Sequence, residues 1–309
     1  MQMTIATHKT AAQGARAMRP AGDRFGLSCA LITPFLPSGA IDHDRMVAHA
    51  RRVLAEGCAS VTLFGTTGEG ASIGFGARAG AIAAMQSAGF DYGRHVLGAV
   101  AASSVEDAAA QASQLLDAGA RGILLAPPFY FKGVDEDGLC TWFCRVLEAC
   151  RAPRQVFLYH IPSLTQVPLS PSLVGRLRAA WPGVIAGVKD SAGDWPTTER
   201  FLAEHGDLHV LVGDERLLAR AVRQGGSGAI NGFSNFCAPR LLPMIERGEE
   251  VPGVAALVDL LLAYPVTPAV KALVAHVAND AEFLRTAPPL VDLPDAHART
   301  LAAAFDRLP

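Results

Sequence analysis

Eight short apolar segments at regular intervals constrain the fold of this chain more than any other feature. They are rich in β-branched and aliphatic residues, and the stretches between them are rich in Ala, Leu and Arg with helical periodicity. Strands that are apolar on both faces are typical of buried parallel sheets, and eight successive βα units predict a (β/α)8 TIM barrel. The alternative is an open doubly wound sheet, but no GxGxxG motif follows the first segment. The predicted strands are residues 27–32, 60–64, 96–100, 122–126, 155–160, 184–189, 208–213 and 228–231.

The pattern divides the chain into three parts. Residues 1–23 are polar and Ala-rich without a clear period, which predicts a flexible N-terminal tail. Residues 24–243 form the predicted catalytic barrel, and residues 244–309 form a C-terminal helical region. The helices predicted towards the C-terminus cover residues 240–248, 253–263, 267–278 and 295–307.

Glycines and one serine mark the predicted helix ends. Ser104, with Asp107 three residues later, is typical of an N-cap and predicts a helix over residues 105–118. Glycine at the end of a periodic segment predicts a left-handed C-terminal cap. The glycines in such positions are Gly57, Gly119, Gly206 and Gly225.

Composition excludes several classes of function. The net charge of −2 provides no basic surface for nucleic acid or an anionic membrane. No apolar run approaches the ~20 residues that span a bilayer. The six cysteines form no CxxC pair and suggest reduced thiols rather than a metal site or disulfides, so we expect a cytoplasmic protein. We expect no metal and no cofactor.

Polar side chains follow the predicted strands where a barrel of this kind places its active site. The chain has only four lysines and four tyrosines, yet one lysine and two tyrosines fall at these strand ends. The segments are residues 65–70 (GTTGEG), 127–130 (PPFY), 159–160 (YH), 189–190 (KD), 213–215 (GDE) and 230–231 (IN).

Lys189 is the candidate nucleophile. Burial in an apolar barrel mouth disfavours its charged form, and a neutral amine can attack a carbonyl to form a Schiff base. Tyr159, on the adjacent strand, is placed to act as the proton donor and acceptor. The turn at residues 65–68 offers backbone N–H groups and two hydroxyls for a carboxylate.

Each of these residues also has an ordinary structural interpretation. Lys189 could form an ion pair with Asp190 or Glu69, and Tyr159 could be a barrel residue with a satisfied hydroxyl. We expect Glu69 to cap the turn or bind backbone, and His160 to support the site rather than act in it. The occurrence of these residues in order on strands 2, 4, 5 and 6 favours the catalytic interpretation.

Taken together, five motifs resemble the pyruvate-dependent class I aldolase superfamily of dihydrodipicolinate synthase and N-acetylneuraminate lyase. The resemblance covers roughly residues 25–290 and implies a TIM barrel with a C-terminal helical domain, assembled as a homotetramer. The matching motifs are residues 30–35 (ALITPF), 65–69 (GTTGE), 127–130 (PPFY), 159–162 (YHIP) and 187–190 (GVKD).

The resemblance also implies individual roles. Lys189 would form the Schiff base with pyruvate or another 2-oxo acid, and Tyr159 would be the general acid/base. Thr66 and Tyr130 would continue a proton relay, with Tyr130 reaching into the site of a neighbouring subunit. Thr66 and Thr67 would hold the carboxylate of the 2-oxo acid.

Further positions bear on the second substrate. Gly213 and Ile230 would line the site through backbone atoms. Leu164 stands where dihydrodipicolinate synthases carry the arginine that binds the aldehyde's carboxylate, and leucine cannot form that bidentate contact. Neuraminate lyases use an Asp-Glu pair on the sugar hydroxyls, and Asp214 and Glu215 match it.

Two departures affect the sugar-binding part of this resemblance. Gln166 replaces an expected glycine and could itself contact substrate. Gly232 stands where a small hydroxyl residue is sometimes found.

These observations predict a cofactor-free lyase. It would cleave a 2-oxo-3-deoxy sugar acid, or a related 4-hydroxy-2-oxo acid, to pyruvate and an aldehyde. A sugar-acid dehydratase using the same lysine is the first alternative, and a 4-hydroxy-tetrahydrodipicolinate synthase, disfavoured by Leu164, is the second. A non-catalytic oxo-acid sensor is the third, but a sensor needs neither Lys189 nor Tyr159.

Overall fold

The chain folds into a closed barrel of eight parallel strands in chain order, with helices outside it. The computed structural model describes residues 17–309. The predicted (β/α)8 fold is therefore confirmed. The strands are β1 Gly26–Ala30, β2 Ser60–Leu63, β3 Val96–Val100, β4 Gly122–Leu125, β5 Val156–His160, β6 Ile185–Asp190, β7 His209–Val212 and β8 Gly228–Asn231.

Thirteen α-helices connect and cover these strands in the described part of the chain. Nine of them precede β8: α1 His43–Ala55, α2 Phe75–Ser87, α3 Tyr92–His95, α4 Val105–Asp117, α5 Glu136–Ala149, α6 Pro162–Thr165, α7 Pro171–Ala180, α8 Trp195–His205 and α9 Glu215–Arg223. Four follow it: α10 Ser234–Arg247, α11 Val254–Leu262, α12 Val266–Ala278 and α13 Asp295–Phe305.

The helix-end signals are confirmed with one exception. Ser104 caps α4 by accepting a hydrogen bond from the backbone N–H of Asp107 at 3.1 Å. Three glycines have the left-handed φ angles that a C-terminal cap requires, 106° at Gly57, 91° at Gly119 and 93° at Gly225. The prediction for Gly206 is wrong because its φ is −68°. The helix ends there in a right-handed turn, closed by the Leu208 N–H donating to the His205 carbonyl at 2.9 Å.

Two apolar layers hold the barrel together. The inner cluster fills its interior, where Phe25 packs edge-on against Phe157 with ring centroids 5.2 Å apart. The larger outer cluster lies between the strands and the helices. Because alternate residues of a strand point to opposite layers, the sequence position of a residue decides whether it faces the barrel interior.

The two ends of the described chain pack on the barrel. Arg19, in the stretch assigned to the tail, donates to the Gly225 carbonyl at 3.0 Å, and Arg24, the first residue of the predicted barrel, donates to the Ile245 carbonyl at 2.7 Å. Residues 1–16 lie outside the described part. Helix α10 begins six residues before the predicted helix over 240–248, so the predicted boundary at residue 243 falls inside it. Helix α12 packs against α10 and α13.

Candidate active site

Strand pairing brings the two central side chains together. Tyr159 on β5 and Lys189 on β6 are direct partners in the parallel ladder. Both are 5% exposed, and Lys189 Nζ donates a hydrogen bond to Tyr159 Oη at 3.1 Å. The structure thus brings the two residues predicted for Schiff-base chemistry into contact at the floor of the barrel mouth.

The environment of Tyr159 lowers the pKa of its hydroxyl. Burial by itself raises the pKa of the tyrosine, but the charge of Lys189 and hydrogen bonds from Thr66, Lys189 and Ser191 outweigh it. The net result is a pKa for Tyr159 below its ordinary value. A tyrosine with a lowered pKa beside an amine is suited to exchanging a proton with a substrate hydroxyl.

The structural interpretation of Lys189 as an ion-pair partner is wrong. Asp190 is the next residue of the same strand, so its side chain points to the outer layer. There it accepts from Thr198 Oγ1 at 2.6 Å and from the Ala192 N–H at 3.0 Å. His160 also faces outward, and its Nδ1 accepts from the Leu169 N–H at 2.9 Å, as expected for a supporting residue.

The turn after β2 carries the two predicted threonines. Thr66 Oγ1 lies 3.3 Å from Tyr159 Oη, and Thr67 lines the same cavity. The turn is tight, with the Gly70 N–H donating to the Gly65 carbonyl at 3.0 Å. A Cβ atom at Gly70 would lie 1.7 Å from the Phe64 carbonyl oxygen, so only glycine permits this turn.

Glu69 connects this turn to the C-terminal helices. One carboxylate oxygen accepts from the Ala287 N–H at 2.6 Å, which agrees with the expected backbone contact. The other forms an ion pair with Lys271 of α12, and neither side chain is exposed to solvent. Burial raises the pKa of Glu69 and lowers the pKa of Lys271, and each partner opposes the shift of the other. Sequence analysis missed this pair because the two residues are about 200 positions apart.

A cavity of about 830 Å³ opens above Lys189 and Tyr159. Nine of the eleven predicted site residues line it, namely Thr66, Thr67, Tyr159, Leu164, Lys189, Gly213, Asp214, Glu215 and Ile230. No arginine is among the residues of the described chain that line it. Its size suits a small organic acid with a side chain of several carbons.

Tyr130 and Gln166 do not line this cavity. Tyr130 is 75% exposed, and its ring packs edge-on against Phe131 with centroids 5.2 Å apart. Gln166 is exposed and ends α6 with a φ of 53°. That left-handed angle favours glycine, which gives a backbone reason for the glycine expected there.

The Asp214 and Glu215 carboxyl groups have different environments. Asp214 caps α9 by accepting from the Arg216 N–H at 3.0 Å, and it forms an ion pair with the Arg216 guanidinium at 2.7 Å. Glu215 is 5% exposed. Burial raises the pKa of Glu215 to about 8, with the charge of Asp214 also raising it, while backbone N–H groups and Lys189 oppose the shift. The raised pKa favours the neutral carboxylic acid form of Glu215 near neutral pH.

Ser191 is a site residue that sequence analysis did not identify. It lines the cavity two positions after Lys189, and its hydrogen bond helps to lower the pKa of Tyr159. A Cβ atom at Gly213 would lie 2.0 Å from Ser191 Oγ, so glycine at 213 makes room for the serine. The adjacency of Ser191 to the lysine motif is the signal that could have identified it.

Residues 17–309 contain neither a metal-ligand cluster nor a membrane-spanning helix. No cluster of three or more His, Cys, Asp or Glu side chains has the arrangement of a metal site. No helix in this range is long and apolar enough to cross a bilayer.

Sequence comparison relates the chain to known proteins. The profile of the dihydrodipicolinate synthetase family matches residues 24–304. A protein named uncharacterized DapA-like lyase, from Chloroflexus aurantiacus, is 30% identical over 292 residues, covering 92% of this chain and 96% of that protein. The 4-hydroxy-tetrahydrodipicolinate synthase 1 of Streptomyces coelicolor is 36% identical over 212 residues, covering 68% of this chain and 67% of that enzyme.

Structural comparison agrees. A crystal structure of dihydrodipicolinate synthase from Agrobacterium tumefaciens has a TM-score of 0.90 and 50% identity, covering 92% of this chain and 99% of that one. A variant of 2-keto-3-deoxygluconate aldolase from Sulfolobus solfataricus has a TM-score of 0.77 and 20% identity, covering 91% of this chain and 95% of that one. The second likeness shows a shared fold.

Proposed function

Because the chain belongs to the dihydrodipicolinate synthetase family, we propose that it is a carbon–carbon lyase that works through a Schiff base on Lys189. Its substrate is a 2-oxo-3-deoxy sugar acid or a related 4-hydroxy-2-oxo acid, and its products are pyruvate and an aldehyde. The observation that supports this most strongly is the contact of Lys189 Nζ with Tyr159 Oη, which in turn lies beside Thr66 Oγ1.

The first half of the reaction forms the imine and breaks the carbon–carbon bond. The neutral Lys189 amine attacks the C2 ketone, and Tyr159 donates its proton to the C2 hydroxyl as it leaves as water, which gives a protonated imine and the Tyr159 phenolate. The Tyr159 phenolate then takes the proton of the C4 hydroxyl. The C3–C4 bond breaks, C4 becomes the carbonyl carbon of the aldehyde, and the bonding electron pair moves to the imine to give an enamine.

The second half releases pyruvate. Tyr159 returns its proton to C3 of the enamine, which restores the imine. Water then adds at C2, the Tyr159 phenolate takes up the proton released, and the neutral Lys189 amine leaves, giving pyruvate and free enzyme. Throughout, the hydroxyls of Thr66 and Thr67 and the N–H groups of their turn bind the 2-oxo acid carboxylate.

A synthase that condenses pyruvate with an acidic semialdehyde is less well supported. Such an aldehyde carries a carboxylate of its own, which a guanidinium would bind in a bidentate manner. Leu164 lines the cavity at the position concerned, and the cavity lining in residues 17–309 contains no arginine.

The dehydratase is a second candidate because of one observation. Glu215 lines the cavity as a buried carboxyl group with a pKa of about 8, so it can donate a proton to a leaving hydroxyl at neutral pH. The same imine on Lys189 would then lose water from the substrate without breaking the C3–C4 bond. The two reactions differ in whether pyruvate appears.

Product analysis tests the assignment. The enzyme is incubated with a panel of 2-oxo-3-deoxy acids and other 4-hydroxy-2-oxo acids, and products are identified by mass spectrometry and by enzymatic assay of pyruvate. The lyase predicts pyruvate and aldehyde in equal amounts, whereas a 2-oxo semialdehyde without pyruvate identifies the dehydratase. Turnover by Lys189→Ala at the wild-type rate contradicts both.

We further propose a cytoplasmic homotetramer. All six cysteines are free thiols, as in proteins of reducing compartments. An aromatic side chain as exposed as Tyr130 is typical of a subunit interface, and we infer that it completes the proton relay of a neighbouring subunit.

A further inference from the structure

Exposed aliphatic side chains line the open side of the active-site cavity. Lys189 and Tyr159 are 5% exposed and form its floor, whereas four aliphatic side chains that line it are open to solvent. They belong to separate segments of the chain. These are α6, the C-terminal end of α11, the N-terminal end of α12 and the loop before α13. These residues, here named the apolar wall, are Leu164 (60% exposed), Leu262 (56%), Val266 (45%) and Leu290 (37%).

This convergence is not expected of ordinary surface leucines and valines. Residues 17–309 contain twelve exposed large hydrophobic side chains, and four of them meet at this one cavity. Isolated exposed apolar side chains are common, but a contiguous group at the mouth of a cavity marks a binding surface. Buried apolar residues continue the wall inward, among them Leu261 and Val270.

The groups expected to bind sugar hydroxyls do not offset this apolar character. The carboxylate of Asp214 is already engaged by the N-terminus of α9 and by Arg216. Gln166 is exposed and lies outside the lining. Of the three polar side chains expected to contact a sugar tail, Glu215 alone remains available in the cavity. The lining also includes serine and threonine hydroxyls, but a polyhydroxylated tail placed against the four aliphatic side chains would lose hydrogen bonds to water that those side chains cannot replace.

We propose that the apolar wall binds the substituent on C4 of the substrate, and that this substituent is aliphatic or aromatic. The inference rests on the lyase function proposed above and selects among its substrates. The reaction is the same: the C3–C4 bond breaks, the C4 hydroxyl loses its proton to Tyr159, and C4 leaves as an apolar aldehyde. Leu164 thus binds the tail where an arginine would bind a carboxylate.

Substrate competition tests this inference. The kcat/KM of the wild-type enzyme is measured for a 4-hydroxy-2-oxo acid with a straight alkyl tail and for the 2-oxo-3-deoxy sugar acid of the same carbon number. We expect the alkyl substrate to be favoured by on the order of tenfold or more, since an apolar pocket discriminates by up to about 10²-fold against an isostere that adds a hydroxyl. A higher kcat/KM for the sugar acid, with pyruvate released, overturns the inference and leaves the lyase intact.

Matched variants locate the effect. Val266→Thr and Val291→Thr make the same nearly isosteric change, but Val266 lines the cavity whereas Val291, 77% exposed, does not. We expect Val266→Thr, and more strongly Leu164→Asn, to raise KM for the alkyl substrate several-fold and so to lower its kcat/KM relative to that of the sugar acid. Val291→Thr should change neither. Equal effects on both substrates, or none, contradict the inference.

Two further outcomes separate this inference from its premise. If Leu164→Asn or Val266→Thr changes the oligomeric state in solution without changing substrate preference, the apolar wall is an interface between copies and the inference fails. If no substrate of either kind releases pyruvate and Lys189 forms no adduct, the lyase function itself fails. Size-exclusion chromatography with light scattering provides the first measurement.

Discussion

Lys189 and Asp190 are neighbours on one strand, but their side chains point to opposite faces and have different roles. Lys189 faces the barrel interior and contacts Tyr159, while Asp190 faces α8 and binds Thr198. The strand alternation that separates them could be predicted from sequence. The outward contacts of Asp190 could not, because its partner depends on how α8 packs. The ion pair that seemed possible between neighbours is thus excluded by geometry.

Thr66 should control the pH dependence of the reaction. Its hydroxyl is one of the groups that lower the pKa of Tyr159, since a hydrogen bond to the phenolate stabilises the charged form. We expect Thr66→Val to raise the pKa of Tyr159 and move the rising limb of the profile of log kcat/KM towards higher pH. A Thr66→Val profile that coincides with the wild type contradicts the hydrogen-bonded relay.

Tyr159→Phe should cost about 10²–10⁴-fold in rate, because it removes the group that exchanges the proton with the substrate.

Glu215 should make stability fall with pH. Its folded-state pKa of about 8 lies above the ordinary value of 4.5, so the folded protein holds a proton that the unfolded chain has lost. Stability is then lost as pH rises from about 4.5 to about 8. We expect Glu215→Gln to become progressively more stable relative to wild type between pH 5 and pH 8 in urea unfolding. Glu148→Gln, at an exposed position of α5, is the control, and the same pH trend there would contradict the assignment.

At the level of elements, strand and helix positions were largely predictable. Buried parallel strands leave an unbroken apolar signal, and the predicted strands differ from the observed ones by no more than two residues at either end. What could not be predicted is the set of contacts between distant elements. Glu69 and Lys271 each look unremarkable in sequence, and only the packing of α12 against the turn at 65–70 brings them together.

The stability of the fold should depend on Glu69 and Lys271 being present together. Lys271→Met leaves the Glu69 carboxylate buried without its counter-charge, and breaking such a pair costs about 3–5 kcal/mol. The double variant Glu69→Gln/Lys271→Met removes the stranded charge and should recover part of this loss. Free energies of unfolding in urea measure both. If the double variant loses more free energy of unfolding than the sum of the losses of the two single variants, the coupling is contradicted.

For the whole molecule, the sequence predicted the barrel and its lysine but not the surroundings of the substrate tail. The apolar wall draws on the C-terminal region, whose periodicity identifies helices without showing that their ends reach the active site. The division into a tail, a barrel ending at residue 243 and a helical region stays a prediction. Helix α10 spans residue 243, so the predicted boundary does not coincide with the end of a helix. The hydrogen bond from Arg19, in the predicted tail, to the Gly225 carbonyl joins the end of the tail to the barrel.

Assembly gives a test at this scale. If Tyr130 serves a neighbouring subunit, a Tyr130→Phe subunit and a Lys189→Ala subunit can each supply what the other lacks. Mixing the two inactive or weakened variants under exchange conditions should then restore part of the wild-type activity. Each variant exchanged with itself is the control, and the tetramer is verified by light scattering. Mixtures no more active than their components contradict a shared site.

The central claim is that Lys189 forms an imine with a 2-oxo acid, and trapping tests it directly. The protein is incubated with pyruvate and sodium borohydride, digested, and examined by mass spectrometry. The account predicts one added reduced pyruvate per subunit, mapped to Lys189 and absent from Lys189→Ala. An unmodified Lys189 in protein that binds pyruvate would contradict the account and favour a non-catalytic sensor.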